Sequence, residues 1–541
     1  MKKIKVLFIC FMLSPALLSF SQIRVINNPE FESADNEFFL GINSISIGDE
    51  ETILYCNTYN LPNYWVKISS QSFLRGQSGK IYKFIRLEGM EVDTKVFMPE
   101  SGTMSCVLYF EALDKNEQSF DYIENLDEED VSNFYGIKTY ASKSNAPVQC
   151  LIKGEVIDRP NSNRLQLIKK GGDERVDGVY IPIRDSKFEY QLNVDIEEAY
   201  ELSFVDERIS GSWRPTTFFA ENGTISMKLY PEDRFFDNKI EGGRLNDEYV
   251  AYKKLQRTVG ESEEFEKEWE ILRKNDGLNS PAAKEIGKQL SVTKDNSVRD
   301  SLYRCLDILE ELNEHLTEEG KALFKKNDEL NQKRRKWELE YLKNNTSLVS
   351  YFIIVDILSQ IKHNPLGPDS YIEFYNTVYK NLYPEHPYTQ KIENYIKSVA
   401  NIKIGGKYID FTAPDFEGNM ITLSEQIKGK VALIDLWASW CGPCRRSSIS
   451  MIPVYEEYKD KGFTVVGIAR EAQLSSAVGA AKKDGYPWLN LVELNDKNKI
   501  WEKYGAGNSG GSTFLVDRDG TILAIHPTDK EVRDILDNIL K

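Results

Sequence analysis

The sequence predicts a multidomain chain with two β-sandwich-like domains, an α-helical region and a C-terminal α/β domain with parallel crossovers. Three observations carry that reading. Up to about residue 243, short β-rich runs are punctuated by Gly, Asn, Asp and Pro. Between Leu302 and Leu316, leucines recur at three- and four-residue steps. After Gly405-Gly406, apolar strands alternate with helical stretches. At roughly 150 residues per domain, a length of 541 allows three or four domains.

The N-terminus reads MKKIKVLFICFMLSPALLSFSQ. Lys2, Lys3 and Lys5 form a positive start, Val6 to Leu18 an apolar core, and Ser19-Phe20-Ser21 a small-x-small cleavage signal. Residues 1–21 therefore read as a secretory signal peptide, with an uncleaved anchor as the alternative. The mature chain is expected to be soluble, exported or periplasmic in a bacterial envelope, with no further membrane span. The remaining apolar run, Leu348 to Leu358, is short, contains Asp356 and reads as a buried helix.

Residues 22–145 read as the first sandwich-like domain, with Thr103 to Phe110 its clearest strand, and Ser142 to Pro147 as a polar boundary. Residues 146–243 read as the second, with strands over Arg164–Ile168, Phe188–Val194, Tyr200–Val205 and Thr224–Tyr230. Both look antiparallel. Residues 244–400 form the helical region. There Leu302, Leu306, Leu309, Leu312 and Leu316 outline one amphipathic helix, Cys305 reads as core, and Lys333-Arg334-Arg335-Lys336 reads as a solvated face. Residues 401–541 are the α/β domain: strand Lys430–Trp437, helix to about Tyr458, strand Phe463–Ala469, another helix, strands Thr513–Val516 and Ile522–Ile525, and a last helix Asp529–Leu540.

Charge and cysteine usage bound the function. The net charge is −16, from 68 basic and 84 acidic residues, which opposes nucleic-acid binding. Residues 401–541 are nearly balanced, with 18 basic and 19 acidic residues, so the acidity belongs to the front of the chain. Seven cysteines are too few for a disulfide framework, and any cysteine chemistry lies in particular residues. Cys56 and Cys106 fall in strand-like stretches where a disulfide is allowed, and Cys150 reads as packed.

The motif that carries chemistry is Trp440-Cys441-Gly442-Pro443-Cys444, which follows a hydrophobic strand and opens a helix. No second C-x-x-C exists and His315, His363, His386 and His526 are scattered, so no metal is expected. A thiolate at a helix N-terminus is stabilised by unpaired N–H groups and the helix dipole. Cys441 is therefore the expected exposed nucleophile, and Cys444, one turn on, the more buried resolving thiol. Gly442 lets a partner backbone approach, and Pro443 suits the first helical turn. Trp440 is the expected substrate-facing aromatic, with Trp437 in the core; Tyr486 and Trp488 are further candidates. Arg445 and Arg446 either support the Cys441 thiolate or form a solvated first turn.

Residues 402–541 resemble the thioredoxin superfamily and, within it, the exported TlpA/ResA-like thiol–disulfide oxidoreductases. The matching residues are Gly406, Ala413-Pro414-Asp415-Phe416, Val431 to Trp437, Trp440 to Cys444, Val465-Val466-Gly467-Ile468, and Thr513-Phe514-Leu515-Val516-Asp517 with Gly520. The resemblance implies a thioredoxin-like fold and a redox-active Cys441/Cys444 disulfide. It further implies an enzyme that reduces protein disulfides without a cofactor, drawing on a membrane or exported electron donor. It implies a proton-relay role for Asp435; the alternative is a strand aspartate bonded to nearby backbone. Three positions depart from the family. Gly511 stands where a cis-proline is usual, which is expected to loosen the substrate surface made by Gly511 and Ser512. Ile449 replaces a kink-forming proline, with Pro453 one turn later, and Ser447 replaces an acidic residue. Val148 to Asn246, with Ile181-Pro182-Ile183, Phe218 to Gly223 and Gly242-Gly243-x-Leu245-Asn246, is similar to a β-sandwich module of unknown function that precedes such domains in Bacteroidetes. The competing reading is a non-enzymatic binding or scaffold protein with a degenerate thioredoxin-like domain. A thiol peroxidase is a third, opposed by Ala438 three residues before Cys441.

Overall fold

A computed structural model describes residues 23–35, 39–125, 132–140, 146–173, 178–209, 214–260, 263–293, 296–359, 367–507 and 510–540. The signal-peptide stretch and residues 142–145 of the expected boundary lie outside these.

The first β region is a nine-stranded antiparallel sheet. Its order runs Arg24–Asn27, Leu40–Ile47, Glu51–Tyr59, Thr103–Glu111, Ile81–Glu88, Phe73–Gly76, Ser119–Ile123, Asn133–Lys138, Ser33–Asp35. Two strands separate Phe110 from Tyr122 in that order, which in a flat sheet is about 14 Å at ~4.8 Å per strand. Their rings are 6.0 Å apart, so the sheet folds over on itself around one core. Cys56 and Cys106 are buried, directly opposed across the central strands, and both are free thiols.

The second β region packs two four-stranded sheets around a shared core. One is ordered Lys187–Val194, Val148–Val156, Gly223–Leu229, Lys239–Glu241; the other Val179–Pro182, Arg164–Lys169, Glu198–Phe204, Thr216–Ala220. The expectation of a wholly antiparallel sheet is corrected at one place: Val148–Val156 runs parallel to Gly223–Leu229. Parallel neighbours need a long crossover, and here the chain crosses through the opposing sheet between them.

Helices follow from Arg244–Gly260 to Pro387–Asn401. Leu348–Ser359 is buried on nearly all sides, against a set of tyrosines that includes Tyr351, Tyr375, Tyr379 and Tyr388. Two expectations fail nearby. The helix Asn296–Glu311 stops before Leu312, and Asn313 adopts a left-handed conformation, so Leu312 and Leu316 lie beyond it. Cys305 is exposed rather than core, because its helix packs chiefly on one neighbour, Pro281–Val292.

The C-terminal sheet is ordered Leu489–Leu494, Phe463–Glu471, Val431–Trp437, Ser512–Val516, Ile522–Ile525, with the first three strands parallel and the last two antiparallel. All seven residues of Val431–Trp437 are buried, as befits a central strand covered on both faces. Met451, Val454 and Tyr458 of the helix Gly442–Tyr458 and Val532 and Leu536 of Asp529–Ile539 cover one face. Ile500, Trp501 and Tyr504 cover part of the other. The strand Leu489–Leu494 and the hairpin Thr412–Pro414/Met420–Thr422 were not anticipated from sequence.

Pro387–Asn401 joins this sheet to the rest of the chain. The Ala199 N–H donates to Tyr388 Oη at 2.9 Å, Lys391 Nζ donates to the Lys170 carbonyl at 3.2 Å, and Asn394 Nδ2 donates to Glu502 Oε1 at 2.8 Å. Arg470 Nη2 lies 3.1 Å from Asp173 Oδ2 and 3.5 Å from Asp496 Oδ2, with the Arg470 and Asp173 side chains only 5% and 6% exposed. Breaking a buried ion pair by deleting one partner costs about 3 kcal/mol. Arg470→Met is therefore expected to lower the first transition in a denaturant scan by about that amount, and an unchanged transition would remove this pair from the docking energetics.

Candidate active site

The central strand leaves the sheet at Trp437, and Ala438-Ser439-Trp440 turns the chain into the helix that Cys441 caps. The Cys441 N–H donates to the Ala438 carbonyl at 3.1 Å and the Cys444 N–H donates to Cys441 Sγ at 3.3 Å. Cys441 and Cys444 form a disulfide with Cα atoms 5.3 Å apart. Gly442 and Pro443 are exposed beside it. The expected exposures are reversed: Cys441 is 5% exposed, whereas Cys444 is half-buried. Cys441 belongs to the apolar cluster of Leu436, Ala438 and Trp501, with Trp440 packed against it, and so its body sinks into the core.

Gly511 closes the site from the neighbouring strand. Its N–H donates to Cys444 Sγ at 3.2 Å. The described peptide bonds, the one preceding Gly511 included, are trans. A Cβ at this position would stand 1.7 Å from the Leu436 carbonyl oxygen, so any side chain is excluded. The expectation of a looser surface is thus corrected: glycine here permits a tighter approach. Ser512 is buried in register with Leu436, its Oγ 3.3 Å from His526 Nε2.

Asp435 is buried in the central strand, 1% exposed, and is linked to the cysteine helix through Ser448. Ser448 Oγ is 2.6 Å from Asp435 Oδ2 and 3.0 Å from the Cys444 carbonyl oxygen, and Asp435 Oδ1 has no hydrogen-bond partner among the described residues. Burial pushes the carboxyl up to about 7, partly opposed by the Ser448 hydrogen bond. Around the loop, the Glu471 carboxylate accepts from the Ser439 N–H and hydroxyl. Arg445 donates through two nitrogens to Asp484, at 2.7 Å each, and to the Ser439 carbonyl at 3.1 Å. Arg445 is therefore committed to the loop, and Arg446 is the exposed arginine. Among the described residues, no group of three or more His, Cys, Asp or Glu side chains could hold a metal ion.

Residues 404–525 match the AhpC/TSA family, and residues 150–249 match a domain of unknown function, DUF4369. The chain is 32% identical over 148 residues to the thioredoxin-like protein YneN of Bacillus subtilis, spanning 27% of this chain and 85% of that one. The chain belongs to the thioredoxin-like AhpC/TSA family. It is also 29% identical over 122 residues to the thiol-disulfide oxidoreductase ResA of Bacillus thuringiensis, spanning 23% of this chain and 68% of ResA. A crystal structure of the thioredoxin domain of a Bacteroides vulgatus thiol-disulfide oxidoreductase is 25% identical, covering 26% of this chain and all of that one, with a TM-score of 0.24.

Within the thioredoxin-like domain the structure brings together Asp435, Trp440, Cys441, Cys444 and Gly511. Trp440 is half-buried, with its ring 5.9 Å from Trp501. Trp437 is core, as expected, and meets Tyr486 edge-on at 5.0 Å. Tyr486 stacks on Trp488 at 5.4 Å, and Trp488 is buried, so these two line the interior. Sequence reasoning missed Ser448 and Glu471. Ser448 follows Cys444 by one helical turn, which was a usable signal; Glu471 lies far off in sequence and carried none.

The raised carboxyl of Asp435 has a thermodynamic consequence. Between the ordinary carboxylate pKa, about 4, and 7, the unfolded chain releases this proton and the folded chain keeps it. Stability therefore falls as pH rises through that window and is level above it. Asp435→Asn is expected to remove part of this slope, stabilising the protein by up to about 4 kcal/mol at pH 8 and little at pH 4. Denaturant unfolding at both values checks it; equal effects would exclude a neutral buried carboxyl.

Proposed function

We propose that the chain is an exported thiol–disulfide oxidoreductase that reduces protein disulfides by dithiol exchange through Trp440-Cys441-Gly442-Pro443-Cys444. The observation that carries this reading is the Cys441–Cys444 disulfide at a helix N-terminus, joined through Ser448 to a buried carboxyl pushed up to about 7. Once reduced, Cys441 attacks a substrate sulfur as thiolate, stabilised by the Cys444 N–H and the helix end. Cys444 gives its proton toward Asp435, which at about 7 can both accept and return it near neutrality, with Ser448 fixing the carboxyl. The Cys444 thiolate then attacks Cys441 Sγ, releasing the substrate as a dithiol and restoring the disulfide. Trp440 with the exposed Gly442-Pro443 pair supports a polypeptide-binding edge, and Gly511 and Ser512 its far side. A membrane or exported thiol donor recharges the pair. The reducing direction rests on the resemblance to ResA-type proteins, and export on the sequence of residues 1–21.

Residues 22–145, 146–243 and 244–400 act in this reading as three units that hold the thioredoxin-like domain at 401–541 and select its partner. The contacts of Asp173, Lys170 and Asn394 support that arrangement.

Insulin reduction driven by dithiothreitol is expected for the wild-type chain and abolished by Cys441→Ser. Cys444→Ala is expected to accumulate a mixed disulfide with substrate. Equal, background turnover in wild type and Cys441→Ser, with no trapped adduct, would refute the assignment.

A further inference from the structure

The sulfur of Cys444 faces a backbone donor that the family pattern would remove. A proline at position 511 has no N–H, whereas Gly511 donates one to Cys444 Sγ at 3.2 Å. The donor is rigidly placed. Ser512, the next residue, pairs with Leu436 in the sheet, and the Gly511 backbone lies so close to the Leu436 carbonyl that no Cβ fits. That same missing Cβ would have stood 3.2 Å from Cys444 Sγ. Glycine is therefore required for the backbone to reach the sulfur at all.

We propose that the Gly511 amide is a catalytic group of the exchange reaction, stabilising Cys444 as the leaving thiolate whenever the disulfide is opened. This rests on the thiol–disulfide reading and specifies which step the site favours. An incoming donor thiolate bonds to Cys441 Sγ; the Cys441–Cys444 bond breaks and its electron pair departs on Cys444 Sγ, into the Gly511 N–H. The donor's second thiol then attacks the mixed disulfide and expels Cys441. The donor ends as a disulfide, the pair as a dithiol, and the donor's two protons pass to solvent and the freed sulfurs. A lower leaving-group pKa speeds the first of these steps, and stabilising the dithiol form makes the pair more oxidising.

The titratable and charged groups nearest the sulfur are Asp435, linked through Ser448, Tyr486 packed with Cys444 against one apolar cluster, Glu471 and Arg445 on Ser439, Arg446 on the cysteine helix and His526 on Ser512. All are kept in the test. In a Cys441→Ser chain, the pH dependence of Cys444 alkylation by iodoacetamide, resolved by mass spectrometry, is expected to have a midpoint below the ordinary thiol value of about 8.5. A midpoint at or above it overturns the proposal. Replacing Gly511 by glycolic acid exchanges the N–H for an ester oxygen without adding a side chain. In the otherwise native chain this is expected to shift the equilibrium with dithiothreitol roughly tenfold toward the Cys441–Cys444 disulfide, a potential about 30 mV lower. An unshifted equilibrium also overturns it. Neither readout uses a protein substrate, so a wild-type chain that fails with insulin sinks the proposed function while these values still decide the role of Gly511.

Discussion

The close approach of the Gly511 backbone to the end of the central strand is the constraint on which the redox geometry depends. Val431–Trp437 is buried on both faces, so the chain emerges only past the C-terminal end of this central strand and turns there into a helix. That turn places Cys441 at the helix N-terminus and Cys444 one turn on. The strand Ser512–Val516 runs antiparallel alongside and brings Gly511 level with the exit. Each sulfur thereby receives one backbone N–H, Cys441 from Cys444 and Cys444 from Gly511. A sulfur hydrogen-bonded by fixed amides pays little reorganisation when it takes up charge, the general condition for electrostatic stabilisation of a transition state.

The same end of the sheet meets the rest of the molecule. Arg470 and Glu471 are consecutive at the end of Phe463–Glu471, and strand geometry sends their side chains to opposite faces. Glu471 holds Ser439 in the cysteine loop, while Arg470 reaches Asp173 of the second β region. The Arg470 guanidinium also lies 5.3 Å from the Trp501 ring, which in turn packs on Trp440. Buried charges of this kind gain little net stability over apolar packing, but they are intolerant of displacement. The ion pair therefore fixes how the thioredoxin-like domain is seated, through the residue next to the one that holds the cysteine loop.

What the sequence disclosed follows from the range of the interactions involved. The strands around Cys441, the helix to Tyr458 and the motif itself are local patterns of apolar spacing and turn chemistry, and were legible. The order of sulfur exposure was not, because it depends on Trp501 and Ala438 closing around Cys441 from separate segments. Gly511 could be located as a departure from the family, yet its effect had the opposite sign to the one expected. A glycine loosens a chain only where space surrounds it, and here Leu436 and Cys444 leave none. Cys305 and Leu312 misled because an amphipathic period marks a helix face without saying how much core that face receives. The parallel pairing of Val148–Val156 with Gly223–Leu229 joins segments far apart in sequence, and no local signal encodes it.

Two carboxyls of the thioredoxin-like domain are raised to about 7, and burial is the leading cause for both. Their surroundings separate their roles. Glu493 accepts hydrogen bonds from the Ile500 and Asn498 amides at 3.0 and 2.7 Å, which favour its ionised form and tie it to the start of the short helix Ile500–Lys503. A proton arriving there would weaken these two hydrogen bonds, so its titration is coupled to the backbone that they hold. Asp435 has one hydroxyl on one oxygen, and its other oxygen is buried without a partner among the described residues. Protonation there breaks nothing and relieves the desolvation of a buried charge. Of the two acids, Asp435 is the one whose protonation leaves backbone hydrogen bonds intact, and Ser448 links it to the Cys444 carbonyl.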